Sequence, residues 1–108
     1  MRTVQVLYKN ENAGRLTQQD DGSFIFKYEK SWVENTSKPS ISITLPKRSE
    51  AYQSKYLFPF FYNMLPEGSN KQVVCKYNRI DTDDYFSILT ITANNDTIGA
   101  ISVIKVDA

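Results

Sequence analysis

The chain has 108 residues, which is one domain's worth and enough to bury a single modest core. Thirteen Lys plus Arg against twelve Asp plus Glu leave a net charge of +1, so the field of a dominant polyanion binder is excluded. Aromatics reach 13%, from seven Tyr, six Phe and one Trp, which predicts a ring-rich core with rings left over for a binding surface.

Val4, Val6 and Tyr8 alternate with Thr3, Gln5 and Leu7, the pattern of a first strand with two unequal faces. "KNENAG" reads as a polar turn, Arg15-Leu16-Thr17 as a short return strand, and Asp21-Gly22 within "QQDDGS" as a second hairpin signal. In "FIFKY", Phe24, Phe26 and Tyr28 share one face and Ile25 and Lys27 the other, which completes a meander. An irregular connection holding Trp32 and Pro39 leads to "ISITL", where Ile41, Ile43 and Leu45 alternate with Ser42 and Thr44 and predict a half-buried strand ended by Pro46.

From Tyr52 the period changes. Tyr56, Phe60 and Met64 lie four apart, and Leu57, Phe61 and Leu65 form a parallel row, so the spacing predicts a broad apolar helix face. Pro59 is tolerated only in a first turn, which puts the start near Tyr56 or Leu57, and Pro66 and Gly68 end the helix. Ser69 to Gln72 has capping-box spacing and predicts a second helix from about Asn70 to Tyr77, with Val73, Val74 and Tyr77 inward. Thr82, Asp83 and Asp84 open a third, which buries Tyr85, Phe86, Ile88 and Leu89. "NNDTIG" turns the chain, and "AISVIKV", apolar on both faces, reads as a last strand placed centrally in the sheet. The expected fold is α+β: an antiparallel sheet of about five strands with two or three short helices packed on one side.

Few reactive groups accompany this pattern. Histidine is absent, which removes the usual general base and most transition-metal sites, and Gly14, Gly22, Gly68 and Gly99 stand singly, so no phosphate loop exists. The pairs Asp20-Asp21 and Asp83-Asp84 diverge on any strand or helix and read as turn and cap residues. No enzyme activity, cofactor or metal site is expected. Cys75, the one cysteine, permits no internal disulfide, and with no secretory pattern in "MRTVQVLYKN" the expected location is cytoplasmic. The sequons at Asn35 and Asn95 are then accidental. No apolar stretch approaches the roughly eighteen residues of a membrane span.

Two surfaces could recognise a partner. "FIFKY" with Lys30 and Trp32 interleaves rings and bases as single-strand binders do, though the three strand rings read more simply as core, and Asp20, Asp21, Glu29 and Glu34 oppose a phosphate. "FPFFYNMLPEG" from Phe58 to Gly68 carries more ring surface than a thin sheet needs: Leu57, Phe61 and Leu65 read as core, whereas Phe58, Tyr62 and Asn63 fall off that row.

"AGRL" at Ala13 to Leu16, "FKY" at Phe26 to Tyr28, "PSISITLP" at Pro39 to Pro46, "FPFFYNMLPEGSNK" at Phe58 to Lys71, "DYFSIL" at Asp84 to Leu89 and "GAISV" at Gly99 to Val103 occur in this order across nearly the whole chain. This succession resembles the N-terminal subdomain of HipA-type toxin kinases. In that family the subdomain precedes a kinase core, whose lysine and aspartates have no counterpart here, so phosphoryl transfer is not expected of this polypeptide. The resemblance extends to the HipS-type small subunits of tripartite HipBST toxin–antitoxin systems. It implies an antitoxin that binds and restrains a HipT-like serine/threonine kinase, with a HipB-like DNA-binding protein as a further partner and no direct nucleic-acid or membrane binding. The implied contact is the tip formed by Phe58, Phe60, Tyr62, Asn63, Met64, Leu65, Pro66 and Glu67, with Tyr62 entering the kinase cleft. Alternatives are a nucleic-acid-binding accessory protein and a split-kinase module that completes the kinase fold.

Overall fold

The structure is a computed structural model, and it describes residues 1–93 and 100–106. The chain runs β1 (Arg2–Tyr8), β2 (Glu11–Gln18), β3 (Phe24–Tyr28), α1 (Lys30–Glu34), β4 (Tyr52–Ser54), α2 (Pro59–Tyr62), α3 (Gly68–Asn78), α4 (Tyr85–Thr92) and β5 (Ile101–Lys105). Among the described residues the strands form one five-stranded sheet in the order β4-β3-β2-β1-β5, antiparallel throughout. The α+β class read from the sequence is the class observed.

Alternation builds the first three strands. Val4 lies opposite Leu16, Leu16 opposite Phe26, and Phe26 opposite Tyr52, so one line across the sheet is apolar from β1 to β4. Phe24, Phe26 and Tyr28 are all buried, as their shared face required. The first turn is tighter than "KNENAG" suggested: Lys9 and Asn10, at φ 48° and 68°, make a two-residue loop whose twist suits a hairpin. β2 therefore starts at Glu11, and a bulge between Val6 and Leu7 leaves Ala13 unpaired, its side chain buried and its carbonyl accepting from the Glu29 N–H at 2.9 Å. At the second turn Gly22 takes φ 88° where Asp21-Gly22 predicted it.

"ISITL" is not a strand. Ile41 and Leu45 both point inward while Ile43, at the tip between them, is 98% exposed. The buried Tyr28 hydroxyl explains this: it accepts from the Ile41 N–H at 3.0 Å and donates to the Leu45 carbonyl, two groups that a ladder would otherwise have paired. The Thr44 N–H meanwhile turns to the Ser42 hydroxyl at 3.2 Å. Burial raises the Tyr28 phenol above its ordinary range, against the bonds from Ile41 and Ser40. The fourth strand is instead Tyr52–Ser54, three residues on the edge beside β3.

β5 also departs from expectation. It pairs only with β1 and occupies the other edge, not the centre. Its apolar character comes from covering: α4 packs beside it, and the Val103 N–H reaches the Ala93 carbonyl at 3.0 Å. The expected "NNDTIG" turn falls on residues 94–99, outside the described residues.

The core lies on one sheet face. Phe61 of α2 meets Phe26, Trp32 of α1 meets Tyr8 with its indole N–H on the Pro39 carbonyl at 2.8 Å, and Phe86, Ile88 and Leu89 of α4 are buried. No buried side-chain polar atom among the described residues lacks a hydrogen-bond partner.

Candidate protein-docking site

The string from Phe58 to Gly68 folds differently from the single broad helix its periodicity suggests. Pro59 takes the first helical position, where it gives up no hydrogen bond, so α2 begins there and lasts one turn. Tyr56, placed on the helix by spacing alone, stays outside it and is 72% exposed. After Tyr62 the chain tightens: the Asn63 N–H reaches Pro59, that of Met64 reaches Phe61 at 3.0 Å, and that of Leu65 reaches Tyr62 at 3.1 Å. Pro66 has no N–H to continue the pattern.

Gly68 does not stop this helix but starts the next one. It sits at φ 57°, and α3 runs from it to Asn78 with Glu67 as N-cap. The Ser69–Gln72 capping box is therefore not used. Cys75 is the inward residue of α3, whereas Val73 and Tyr77, expected inside, are 65% and 87% exposed.

Phe61 anchors the tip. It is fully buried, with ring centroids 5.7 Å from Phe26, 6.4 Å from Phe58 and 5.2 Å from Phe60. Phe58 is also in the core, because as N-cap it has extended backbone, so its side chain does not follow helical spacing and does not point away from Leu57. Of the other predicted contact residues, Phe60, Met64, Leu65 and Pro66 are half-buried, while Tyr62, Asn63 and Glu67 are exposed.

Tyr62 is 48% exposed and leans edge-on against Tyr85, centroids 5.5 Å apart at 87°. Tyr85 in turn has the Lys71 ammonium 5.0 Å from its ring centre. The sequence pattern predicts Tyr85 on the buried side of its helix and gives Lys71 no role, whereas Tyr85 is half-buried. Their signal was a ring with a polar end at a helix start and a cation in the first turn of the preceding helix.

Tyr85 is held by the start of α4. The Asp84 carboxylate caps the helix, accepting from the Ser87 N–H at 3.3 Å and the Ser87 hydroxyl at 2.7 Å. Arg2 grips both carboxylate oxygens, at 2.9 and 3.3 Å, and lays its guanidinium 4.8 Å from the Phe86 ring centre. The Arg2 hydrogen bonds, helped by Ser87 and opposed by burial, hold the Asp84 carboxyl below the usual carboxylate range. The first strand is thereby tied to the helix that supports Tyr62.

The alternative ring platform is not presented. Phe24, Phe26, Tyr28 and Trp32 all lie in the core and offer no stacking face. Among the described residues no cluster of three or more His, Cys, Asp or Glu could hold a metal, and no helix is long and apolar enough to cross a membrane.

This arrangement of sheet, short helices and tip recurs in known proteins. The family model for the HipA N-terminal domain matches residues 4–104. The chain belongs to the HipA N-terminal domain family. A solved structure of the N-terminal domain of HipA toxin superposes with a TM-score of 0.73 at 27% identity, covering 99% of this chain and 94% of that one. "Putative kinase Y4mE" of Sinorhizobium fredii is 27% identical over 107 residues, 99% of this chain but 25% of that protein. "Putative kinase Y4dM" of the same organism is 27% identical over 106 residues, 93% of this chain and 26% of its own length. The chain thus spans about a quarter of the length of these two relatives. A Haemophilus influenzae protein is 28% identical over 103 residues and is matched over 92% of its length, so one relative is of similar size.

Proposed function

We propose that the chain is a HipS-type antitoxin subunit that binds a HipT-like toxin kinase in the cytoplasm and restrains it without chemistry of its own. The reading draws on family membership, on kinase-named relatives that carry the same module within chains about four times as long, and on a Haemophilus relative close to this chain in size. The observation that carries it is the tip: Tyr62 is 48% exposed beside exposed Asn63 and Glu67, yet its backbone is fixed by the fully buried Phe61. A ring presented on a rigid turn loses little freedom on docking, which suits it to fill a pocket. Phe60, Met64, Leu65 and Pro66 form the half-buried surround, and Phe58 contributes from beneath. A HipB-like DNA-binding protein joins the complex as a third subunit.

The test is kinase activity. A HipA-like kinase encoded beside this chain is assayed for phosphate transfer alone, with the chain, and with its Tyr62→Ala variant. Inhibition by the chain that Tyr62→Ala loses supports the reading. Stimulation instead supports a split-kinase module that completes the fold, the reading favoured by the quarter-length match, and inhibition untouched by alanine substitutions at the exposed Tyr62, Asn63 and Glu67 rejects the tip.

A further inference from the structure

A cleft of about 800 Å³ lies between α4, the start of β1 and the end of β5. Phe86, Thr90 and Ile91 line it from the helix, and Arg2, Lys105 and Val106 from the strands. Ile91 is 43% exposed, whereas Phe86, Ile88 and Leu89 of the same helix are buried. Arg2 already holds Asp84, so the free surface is mainly Ile91 and the strand end. β5 is an edge strand, and among the described residues no strand pairs with its outer side. The Val103 N–H points away from β1 to the Ala93 carbonyl, and the Val106 N–H points back to the Thr3 carbonyl. By the alternation of an antiparallel ladder, the N–H and carbonyl of Lys105 therefore lie on the outer edge, past the position that Ala93 covers.

Chain order says what lies next to this place in longer family members. The family match ends at residue 104, inside β5, and by its name the family is the N-terminal domain of a longer chain. The two kinase-named relatives are about four times as long as the matched module. In a chain that carries this module first, the polypeptide that follows it leaves from the end of β5, where the cleft opens.

We infer that the cleft and the free end of β5 receive the N-terminal segment of the separate kinase, bound as an extended strand with an apolar side chain over Ile91. The inference rests on the proposed kinase binding and adds a second contact, lined by none of the tip residues. Chain order selects the occupant: when one polypeptide is divided after this module, the other part begins where β5 ends. Pairing with the outer edge of β5 supplies main-chain hydrogen bonds, and covering Ile91 removes apolar surface from water. An open edge also invites a second copy of the same chain, which the experiment tells apart.

The experiment measures, by calorimetry, binding of the full chain to the HipT-like kinase of the proposed complex and to the same kinase trimmed of its first residues, about ten, enough to cross the cleft when extended. The wild type is compared with Tyr62→Ala, Ile91→Glu, Lys105→Pro and Lys105→Gln, each verified as folded by circular dichroism. Lys105→Pro removes the outward N–H without touching the β1 ladder, and Lys105→Gln removes only the charge. The inference expects trimming to weaken wild-type binding about tenfold, Ile91→Glu to weaken binding of the whole kinase by a similar factor and of the trimmed kinase hardly at all, and Lys105→Pro to weaken it more than Lys105→Gln. Equal binding of whole and trimmed kinase by the wild type overturns the inference, and this arm needs no change in the chain itself. If Tyr62→Ala weakens binding while Ile91→Glu and trimming do not, the inference is overturned and the proposed function stands. If the wild type binds neither kinase, the function fails and the inference with it. A dimer of the chain alone in sedimentation, dissolved by Ile91→Glu, assigns the cleft to a second copy and also overturns it.

Discussion

"FIFKY" and "FPFFY" are both ring-rich strings, and the molecule treats them in opposite ways. In β3 the three rings alternate with Ile25 and Lys27, share one face and are all buried. In the second string Phe58 and Phe61 are buried, Phe60 is half-covered and Tyr62 stands out. A strand between two neighbours sorts its side chains by parity, so its rings have one destination. A single helical turn begun by proline has no such constraint, and its rings can serve the core and the surface together. The first region makes the fold and the second presents part of it.

The largest test of this division is Phe61→Ala. Removing a fully buried ring packed on Phe26, Phe58 and Phe60 should cost about 3–5 kcal/mol, a large part of a small domain's stability, and denaturant titration should show a lowered midpoint or no cooperative transition. Next is Gly14→Ala in β2, where an added Cβ would stand 2.6 Å from the Lys27 carbonyl oxygen and 3.0 Å from the Phe26 ring; about 1–3 kcal/mol should be lost, read as a lower melting temperature. Tyr28→Phe removes the hydroxyl that holds Ile41 and Leu45. It should cost about 1–3 kcal/mol and speed amide exchange at Ile41 more than in β1.

A smaller effect depends on pH. The folded state lowers the Asp84 pKa, so its contribution is present above the unfolded carboxylate value, about 4, and is lost as pH falls through the folded value. Stability should therefore decline on acidification below about pH 4, and Asp84→Asn should flatten that decline. Arg2→Gln should flatten it in part, since Ser87 still donates to the carboxylate.

What was legible in the sequence follows the same division. Parity located β1 and β3 and their buried faces, because burial on one side of a sheet leaves strict alternation in the chain. The same alternation misled at "ISITL", where Ile41 and Leu45 are inward because Tyr28 captures their backbone, a contact across 13 to 17 residues that no local pattern encodes. Helical spacing overextended α2, since apolar rows at four-residue intervals continued through Tyr56, which is outside the helix, and Leu65, which is past its end. On α3 apolar type does not mean inwardness, and Val73 and Tyr77 are exposed. The exposure of Tyr62 and Asn63 was legible from their position off the core row. The support from Tyr85 and Lys71 was not, because it depends on how α3 and α4 meet.

The direct measurement is phosphate transfer by the HipT-like kinase of the proposed complex with saturating wild-type chain and with folded Tyr62→Ala. We expect the wild type to suppress transfer at least tenfold and Tyr62→Ala to leave most of the transfer in place, with the variant still folding cooperatively at a melting temperature lowered by only several degrees, because the loss is one partly exposed ring pair worth about 0.5–1.5 kcal/mol. Equal suppression by both proteins, or none by either, would contradict the account.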